Sequence, residues 1–417
     1  MSIAFNKVVM VGLGYIGLPT AAVLASRGVN VHGVDINQKS VDIINGGGIH
    51  IVEPDLAAVV HGVVKSGFLK ASTKPAPADA FIIAVPTPFK GDYEPDLDYV
   101  QAAAESIAPH LIKGNLVILE STSPVGATEQ MIGWLSAARP DLKFPVVNGD
   151  DTPDIHVAYC PERVLPGQVI RELVQNDRVI GGMTVQCSAK AAALYKIFVE
   201  GECIITNPRT AEMCKLTENS FRDVNIAFAN ELSLLADRFG INVWELIQLA
   251  NRHPRVNILQ PGVGVGGHCI AVDPWFIVHG APDIARLIHT ARTVNDAKPD
   301  WVIQQIIDAA KATGKARPKI LLMGLTFKPD IDDMRESPAL SIAKRLTENE
   351  TGGEVVCFEP NVHDEEVRVK FPNVRLFDGN YADVDVVAFL VKHKSFPEII
   401  ARSDIKAKAI DFCGMLA

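Results

Sequence analysis

The chain lacks an apolar run long enough to cross a membrane, a paired-cysteine motif and an excess of positive charge. A transmembrane helix needs about 20 consecutive apolar residues, so membrane insertion is not predicted. The formal net charge is −9, and long-range repulsion therefore disfavours nucleic acid and anionic membranes as partners. An anionic small molecule can still bind wherever Lys and Arg residues gather locally.

The cysteine pattern excludes a further class of site. The seven cysteines are odd in number and show neither a Cys-x-x-Cys pair nor a Cys/His spacing suited to zinc. We therefore predict no metal site and a reducing, cytoplasmic location. An apolar run in the first 26 residues could be mistaken for a signal peptide, but Lys7 and the following glycines favour a strand and turn.

Length and hydrophobic pattern predict the fold class. A chain of 417 residues, 48% of them hydrophobic, can form two or three domains. Short β-branched runs alternate with helical segments, and this alternation predicts βαβ units and parallel sheets. The first group of predicted strands comprises residues 7–12, 29–35, 80–85, 116–120 and 156–159, and the second comprises residues 319–324, 354–359, 384–391 and 409–412.

A long segment without Pro or Gly separates the two groups of strands. It runs over residues 210–239 and is closed by Gly240, which predicts a helix well beyond the average of about 11–12 residues. We expect it to join domains or to pack against a second subunit. The predicted fold is α/β, with two Rossmann-like doubly wound parallel-sheet domains (1–205 and 301–417) and a small helical middle domain (206–300) containing the long central helix.

A glycine-rich turn follows the first predicted strand. Gly12, Gly14 and Gly17 form a G-x-G-x-x-G pattern at the start of a helix, where a pyrophosphate can approach the positive helix end. Asp35 ends the next strand 18 residues after Gly17, close to the spacing of about 20 expected for the acid that binds a ribose 2′-hydroxyl. A carboxylate there would repel a 2′-phosphate, so NAD is favoured over NADP. The alternative is an ordinary β-turn-α connection with an incidental surface Asp.

Two threonines follow later strands of the first group. Thr87 and Thr122 lie at predicted carboxyl ends of strands, the edge at which open α/β sheets bind ligands. Either one could instead be a simple turn residue.

A cysteine at the end of a second glycine-rich segment is a candidate nucleophile. Cys269 follows four glycines within residues 262–267 and precedes Asp273 by four residues. Glycines allow close backbone approach, and a reactive thiolate needs access and a polar neighbourhood. The competing interpretation is a packed cysteine, because free cysteines are usually buried.

The long predicted helix carries three polar residues on one face. Lys215, Asn219 and Arg222 are spaced i, i+4 and i+7, so they share a face. A solvated polar stripe would show the same spacing, and the pattern alone does not decide between the two.

Six motifs occur in order along the chain: Gly12-x-Gly-x-x-Gly17, Ser121-Thr-Ser-Pro-Val-Gly126, Cys160-Pro-Glu-Arg-Val164, Lys215-x-x-x-Asn219, Gly266-Gly-His-Cys-Ile-Ala-Val-Asp273 and Phe327-Lys-Pro-Asp330. Together they resemble the motifs of the UDP-glucose/GDP-mannose dehydrogenase family along nearly the whole chain. Residues 120–126, 158–167 and 251–257 favour a branch that acts on an N-acetylated hexosamine. Pro166 replaces a glutamate common in UDP-glucose dehydrogenases, which agrees with that branch.

The resemblance implies two successive NAD-dependent oxidations of a sugar C6 alcohol to a carboxylate, for bacterial surface polysaccharide. It implies that Lys215 is the base and that Cys269 attacks the intermediate aldehyde. Asn219 would join Lys215 in stabilising oxyanions. Orientation of water and proton transfer would fall to a further group of residues, namely Asp273, Glu162 and Thr122.

The resemblance also implies binding roles and an oligomer, a homodimer or larger. Any single Arg or Lys among the contacts given below could instead be a solvated surface charge. Arg255 is a candidate for reaching a neighbouring subunit's site. The implied NAD contacts are Gly12, Gly14, Tyr15, Ile16, Gly17, Asp35, Thr87, Thr122 and Arg335. The implied UDP-sugar contacts are Glu162, Arg163, Val164, Lys215, Asn219, Arg222, His253, Arg255, Gly266, Phe327 and Lys328.

Two other functions remain open at the level of sequence. A two-electron NAD-dependent dehydrogenase would share the first domain but would have no use for Cys269. A non-enzymatic NAD-binding protein would keep only the fold, and the retained Lys215, Asn219, Cys269 and Asp273 argue against it.

Overall fold

The computed structural model describes residues 5–51, 53–146, 152–165, 167–267, 269–348, 353–402 and 407–416. Pro166 and His268 lie outside the described residues. The chain divides into two compact units, Met1–Glu218 and Asn219–Ala417, called here the first and second units. Within the described ranges, no helix is both long and apolar enough to cross a membrane.

The first unit is built on a twisted sheet whose strands are short and mostly buried. The strand order is β10-β9-β8-β7-β4-β1-β2-β3, and all pairs are parallel except β8 with β9. A separate antiparallel hairpin is formed by β5 and β6. The strands are β1 (Lys7–Val11), β2 (Asn30–Val34), β3 (Leu69–Ser72), β4 (Ala80–Ile83), β5 (Phe89–Lys90), β6 (Glu94–Pro95), β7 (Leu116–Leu119), β8 (His156–Tyr159), β9 (Arg178–Gly182) and β10 (Cys203–Thr206).

Both faces of this sheet are covered. Val8 and Met10 belong to one buried cluster, whereas Val9 and Val11 belong to another, as expected where side chains alternate along a strand between two helical layers. The predicted doubly wound fold is thereby confirmed. The helices of the first unit are α1 (Gly17–Ser26), α2 (Gln38–Asn45), α3 (Leu56–Lys65), α4 (Asp98–Ile107), α5 (Ala127–Ala138), α6 (Val169–Gln175) and α7 (Val185–Tyr195).

The long predicted helix is present as α8 (Pro208–Phe239), with 32 residues. Proline is well suited to a first helical turn because its missing N–H has no helical partner there. Gly240 follows with a φ of 66°, a left-handed conformation that glycine adopts without a Cβ penalty.

The second unit contains further helices and a parallel sheet of order β12-β11-β13-β14. The 27-residue α11 was not predicted; it contains Pro299, a residue that normally ends or kinks a helix. The helices are α9 (Val243–Ala250), α10 (Asp273–Gly280), α11 (Arg286–Ala312), α12 (Pro338–Glu348), α13 (Asp364–Lys370) and α14 (Phe396–Arg402). The strands are β11 (Lys319–Met323), β12 (Glu354–Phe358), β13 (Val386–Phe389) and β14 (Lys408–Asp411).

Candidate active site

The turn between β1 and α1 requires glycine at two positions. Gly12 has a φ of 91°, and a Cβ added there would lie 2.5 Å from the carbonyl oxygen of Ala84. A Cβ at Gly17 would lie 1.8 Å from the carbonyl oxygen of Gly12. Gly14 differs, because a Cβ there would meet nothing within 4 Å. The backbone at Gly14 therefore faces open space beside the N-terminal end of α1, where a phosphate can bind.

Asp35 lies directly after β2, beside this turn. Its carboxylate accepts the Leu13 N–H at 3.1 Å and the Asn37 N–H at 2.9 Å. Tyr15 and Ile16, within the turn, are half-buried. An open glycine cradle with an acid at its side fits a dinucleotide, so these residues could hold NAD.

The two candidate threonines lie together at the edge formed by β4 and β7. The Thr87 hydroxyl donates to the carbonyl oxygen of Thr122 at 2.5 Å, and both residues are half-buried. The Ser121 hydroxyl donates to the carbonyl oxygen of Val85 at 2.7 Å. These cross-strand bonds fix the backbone that carries both threonines.

The turn after Thr122 is held by an acid that the sequence analysis did not identify. Glu212 on α8 accepts the N–H groups of Gly126 at 2.6 Å and Thr128 at 2.9 Å, as well as the Thr128 hydroxyl. It thereby caps α5. Burial raises the pKa of Glu212, although these hydrogen bonds oppose the rise.

Glu162 is buried in the segment after β8. One carboxylate oxygen accepts the Arg163 N–H at 2.6 Å, and the other lies 2.6 Å from Nη1 of Arg178. Arg163 directs its guanidinium to Glu218 at 2.7 Å, and Val164 packs against the core. Arg178 was not among the predicted site residues, because nothing in the local sequence distinguishes it from a surface cation.

On α8, the three candidate polar residues differ in exposure. Lys215 is half-buried, Asn219 is buried and Arg222 is exposed. Lys215 and Asn219 are one helical turn apart, as predicted.

In the second unit, Asn219 contacts the segment that carries the candidate nucleophile. Its side-chain amide donates to the carboxylate of Asp273 at 2.5 Å, and Asp273 is 3% exposed. The Asp273 N–H in turn donates to the carbonyl oxygen of Cys269 at 2.8 Å. Cys269 itself is exposed, as expected for a presented thiol rather than a packed one. The structure therefore brings together three of the predicted catalytic residues.

Close packing explains the glycines that precede Cys269. A Cβ on Gly266 would lie 2.4 Å from the carbonyl oxygen of Glu336 and 3.0 Å from Cβ of Phe327. Gly267 has a φ of 84°, and its Cβ would lie 2.9 Å from the Phe327 ring. Two predicted substrate residues, Gly266 and Phe327, are thus adjacent, while Lys328 next to them is exposed.

Buried polar residues on α8 and α11 anchor both ends of this glycine-rich loop. The Gly262 N–H donates to the Asn230 side chain at 2.9 Å, and Arg292 reaches the carbonyl oxygen of Ile270 at 3.5 Å. Arg292 also pairs with Asp223 at 2.7 Å. Asp223 is fully buried, so the polar residues of α8 are not all solvated.

The remaining predicted cations lie on turns of the second unit. His253 and Arg255 are exposed after α9, and the Arg255 N–H donates to Nδ1 of His253 at 3.3 Å. Arg335 forms a two-pronged pair with Asp333, with its Nη2 at 2.6 Å. Within the described ranges, no group of three or more His, Cys, Asp or Glu side chains is suited to a metal ion.

The doubly wound sheet, the open glycine turn and the adjacent acid define the class of the protein as dinucleotide-binding. Sequence comparison agrees, because three models of one family match consecutive parts of the chain. They are described as an NAD binding domain (residues 6–199), a central domain (209–297) and a UDP binding domain (321–414). The chain belongs to the UDP-glucose/GDP-mannose dehydrogenase family.

Individual relatives cover almost the whole chain. It is 62% identical to a UDP-N-acetyl-D-mannosamine dehydrogenase of Yersinia pestis over 98% of each chain. It is 59% identical to an NDP-N-acetyl-D-galactosaminuronic acid dehydrogenase of Ralstonia nicotianae, over 96% of this chain and 93% of that one. Among solved structures, a UDP-D-ManNAc dehydrogenase from Pyrococcus horikoshii matches with a TM-score of 0.86 and 37% identity, over 99% and 96% of the two chains.

Proposed function

We propose that the chain is a UDP-N-acetyl-D-mannosamine 6-dehydrogenase that oxidises the sugar C6 alcohol to the uronate in two successive NAD-dependent steps. The observation that carries the proposal is the exposed Cys269 beside a buried Asp273 that accepts the Asn219 amide. A two-electron dehydrogenase has no need of a presented thiol. The name of the Yersinia pestis relative supports the choice of sugar.

In the first oxidation, Lys215 takes the proton of the C6 hydroxyl as the C–H bond gives up its hydride. NAD, when bound, accepts the hydride in each oxidation. Gly12, Gly14, Gly17 and Asp35 would hold it, the glycines at its pyrophosphate and Asp35 at a ribose hydroxyl. The other proposed NAD contacts are Tyr15, Ile16, Thr87, Thr122 and Arg335.

In the second oxidation, the Cys269 thiolate adds to the C6 aldehyde and forms a thiohemiacetal. Loss of a second hydride leaves a thioester, and water then breaks the C–S bond to release the carboxylate. Lys215 and Asn219 stabilise the oxyanions as fixed donors. Asp273, Glu162 and Thr122 orient the water and move its protons.

The substrate's nucleotide and sugar are held by residues from several segments. We assign residues 1–205 to NAD binding, 206–300 to the central helical domain and 301–417 to UDP-sugar binding. Gly266 permits the close packing on which the position of Phe327 depends. The proposed contacts are Glu162, Arg163, Val164, Lys215, Asn219, Arg222, His253, Arg255, Gly266, Phe327 and Lys328.

A second candidate substrate is favoured by the Ralstonia nicotianae relative, whose name specifies an N-acetyl-galactosaminuronic acid. The two sugars differ in configuration, and a hydrogen-bonding pocket can discriminate strongly between such isomers. UDP-N-acetyl-glucosamine and UDP-glucose are the further alternatives.

Purified enzyme with excess NAD and each of four sugars tests the proposal. UDP-N-acetyl-mannosamine should give the highest kcat/KM and two NADH per sugar consumed. Preference for UDP-N-acetyl-galactosamine, still with two NADH, would support the second candidate. One NADH per sugar would overturn the four-electron reaction.

We also propose that the protein is a cytoplasmic homodimer or larger oligomer that supplies uronate for surface polysaccharide. Four apolar residues form a stripe on α8 at intervals of seven, seven and four, and their side chains are exposed by 43–69%: Phe221, Phe228, Leu235 and Phe239. A continuous apolar stripe of this kind marks an interface, and the same stripe on a second copy would complete a two-fold contact.

Sedimentation velocity tests the oligomer. Phe228→Glu should shift the protein to monomer, whereas Val369→Glu, at an exposed apolar residue on α13, should not. A Phe228→Glu protein that sediments like the wild type would contradict the proposed contact.

A further inference from the structure

The first unit contains a buried cluster in which two carboxylates share one guanidinium. Its charged members are Glu120, directly after β7, Glu162, after β8, and Arg178, the first residue of β9. Their side chains are exposed by 7% or less. We call these three residues the two-acid cluster.

Distances show that Arg178 pairs more closely with one acid than with the other. Nη1 lies 2.6 Å from Glu162 and 3.6 Å from Glu120. Glu120 also accepts the Tyr195 hydroxyl at 3.1 Å. The guanidinium is therefore shared unequally, with Glu162 as the nearer partner.

The position of Arg178 is fixed by its surroundings. Its N–H donates to the carbonyl oxygen of Glu202 at 2.7 Å. Its guanidinium carbon lies 5.1 Å from the ring centre of Tyr195 and 5.9 Å from that of Phe198. Contact with aromatic faces stabilises a guanidinium. Arg178 is therefore held in place from its backbone and from both rings, and it offers Glu162 a fixed partner.

The charges of the cluster cannot all be satisfied at once. Two ionised carboxylates against one cation leave a net negative charge out of water, which is costly. Burial raises the pKa of Glu120 to about 7, with Arg178 opposing the rise and Glu162 adding to it. Protonation of Glu120 therefore removes the excess negative charge of the cluster near neutral pH.

The other titratable groups that face Glu120 do not take this proton. Burial raises the pKa of the Cys160 thiol to about 12 and that of Tyr195 well above its ordinary value. Burial alone would lower the pKa of Arg178, but the neighbouring carboxylates hold it above its ordinary value. Cys160 and Tyr195 stay neutral, and Arg178 stays charged.

We infer that Arg178 is a positioning residue for Glu162, and that Glu120, when ionised, competes for the same guanidinium and so loosens its hold on Glu162. When Glu120 is protonated, Arg178 pairs with Glu162 alone and holds its carboxylate firmly. When Glu120 is ionised, the guanidinium is shared between the two acids, and the Glu162 carboxylate is more available to the attacking water. This inference rests on the proposed role of Glu162 in thioester hydrolysis.

The pH dependence of hydrolysis tests the inference. The rate of thioester hydrolysis in wild type, followed as uronate release in a single turnover that starts from the aldehyde-level sugar and so bypasses the first oxidation, should rise with pH through neutrality. Glu120→Gln should remove this rise. Glu53→Gln is the matched control, because Glu53 is also buried in the first unit but bonds to the N–H groups of Gly167 and Val169; it should keep the rise.

The positioning role of the Arg178 guanidinium is tested by Arg178→Lys, which keeps the positive charge but loses the planar, multiple-donor geometry of arginine. We expect kcat to fall about tenfold with little change in KM, the size of one charged hydrogen bond. In a Glu162→Gln background the same change should have no further effect. Equal losses in both backgrounds would show that Arg178 acts only on the fold.

Infrared titration of the intact enzyme supplies a readout that does not depend on turnover. A protonated carboxyl band should disappear as pH rises through neutrality, and it should be missing from Glu120→Gln. A Glu120→Gln enzyme that retains both the band and the rate profile would overturn the inference. The proposed function fails separately, if wild type yields one NADH per sugar.

Discussion

The parallel sheets of the two units carry the same glycine turn, after β1 in the first unit and after β11 in the second. The surroundings of the two turns differ. After β1, the Gly12 N–H donates to the carbonyl oxygen of Val34 at 2.8 Å, and after β11 the Gly324 N–H donates to that of Phe358 at 2.9 Å. The two glycines have φ values of 91° and 94°. The same hydrogen bond therefore ties each first strand to the neighbouring strand.

An acid follows the neighbouring strand in both units. Asp35 accepts the N–H groups of Leu13 and Asn37, at 3.1 and 2.9 Å. Glu359 accepts those of Leu325 and Asn361, at 2.7 and 2.9 Å.

The surroundings of the two acids differ. Glu359 is buried and lies 3.2 Å from Nε2 of His393, which is also fully buried. The Asp330 N–H donates to Nδ1 of His393 at 3.0 Å, so Nε2 carries the proton and donates to Glu359. Asp35 is only half-buried. One turn thus keeps its acid accessible to a ligand, whereas the other uses its acid to hold the loop that follows Phe327 and Lys328.

The largest expected difference between the two edges is in stability. Glu359→Ala leaves buried N–H groups and His393 without their acceptor and should reduce the free energy of unfolding by about 3 kcal/mol. Asp35→Ala, in the less buried position, should cost only about 0.5 kcal/mol. Denaturant unfolding of both variants measures the difference. Equal losses in the free energy of unfolding would contradict the different roles assigned to the two acids.

Cofactor preference should show the opposite pattern. Asp35→Ala removes the acceptor for a ribose hydroxyl and the charge that repels a 2′-phosphate, so the NAD/NADP ratio of kcat/KM should fall about tenfold. Glu359→Gln should leave this ratio unchanged. An unaltered ratio in Asp35→Ala would count against the ribose contact.

A methyl group in the open glycine cradle should have a smaller effect. Gly14→Ala meets no protein atom within 4 Å, so folding is unaffected, but the methyl group obstructs the pyrophosphate. The KM for NAD should rise about fivefold, or roughly 1 kcal/mol. Gly62→Ala on α3 also meets nothing within 4 Å and is the control. An unchanged KM in Gly14→Ala would place the cofactor elsewhere.

The smallest expected effect is a change in acid sensitivity. Burial acts to raise the pKa of Glu359, but the hydrogen bonds that it accepts from His393 and from backbone N–H groups outweigh burial and hold the pKa below its ordinary value of 4.5. The lowered folded-state pKa contributes stability above pH 4.5, and that contribution is lost as pH falls through the folded-state pKa. The melting temperature of Glu359→Gln should therefore fall less steeply with decreasing pH than that of wild type. An equally steep fall would exclude Glu359 as a source of the acid sensitivity.

Local patterns predicted much of this structure. The glycine turn, the position of Asp35 at the end of β2, the end of α8 at Gly240 and the α/β fold class follow from short-range rules, and the structure confirms them. The strand β9 was missed, because it is short, begins with Arg178 and ends in two glycines. Pro299 concealed the full length of α11.

The supporting residues of the site could not be predicted for a different reason. Arg292 and Asp223 are 69 residues apart, and only the folded chain shows that they pair. A charged residue in a sequence is usually on the surface, so burial of Arg178 and Arg292 gives no local signal.

The number of NADH formed per sugar by Cys269→Ser, in a single turnover with UDP-N-acetyl-mannosamine and excess NAD, tests the central claim most directly. Wild type and the control Cys203→Ser should each give two NADH and the uronate. Cys269→Ser should give no more than one, with the sugar left at the aldehyde level. Uronate formed by Cys269→Ser at an undiminished rate would contradict the assignment of the nucleophile.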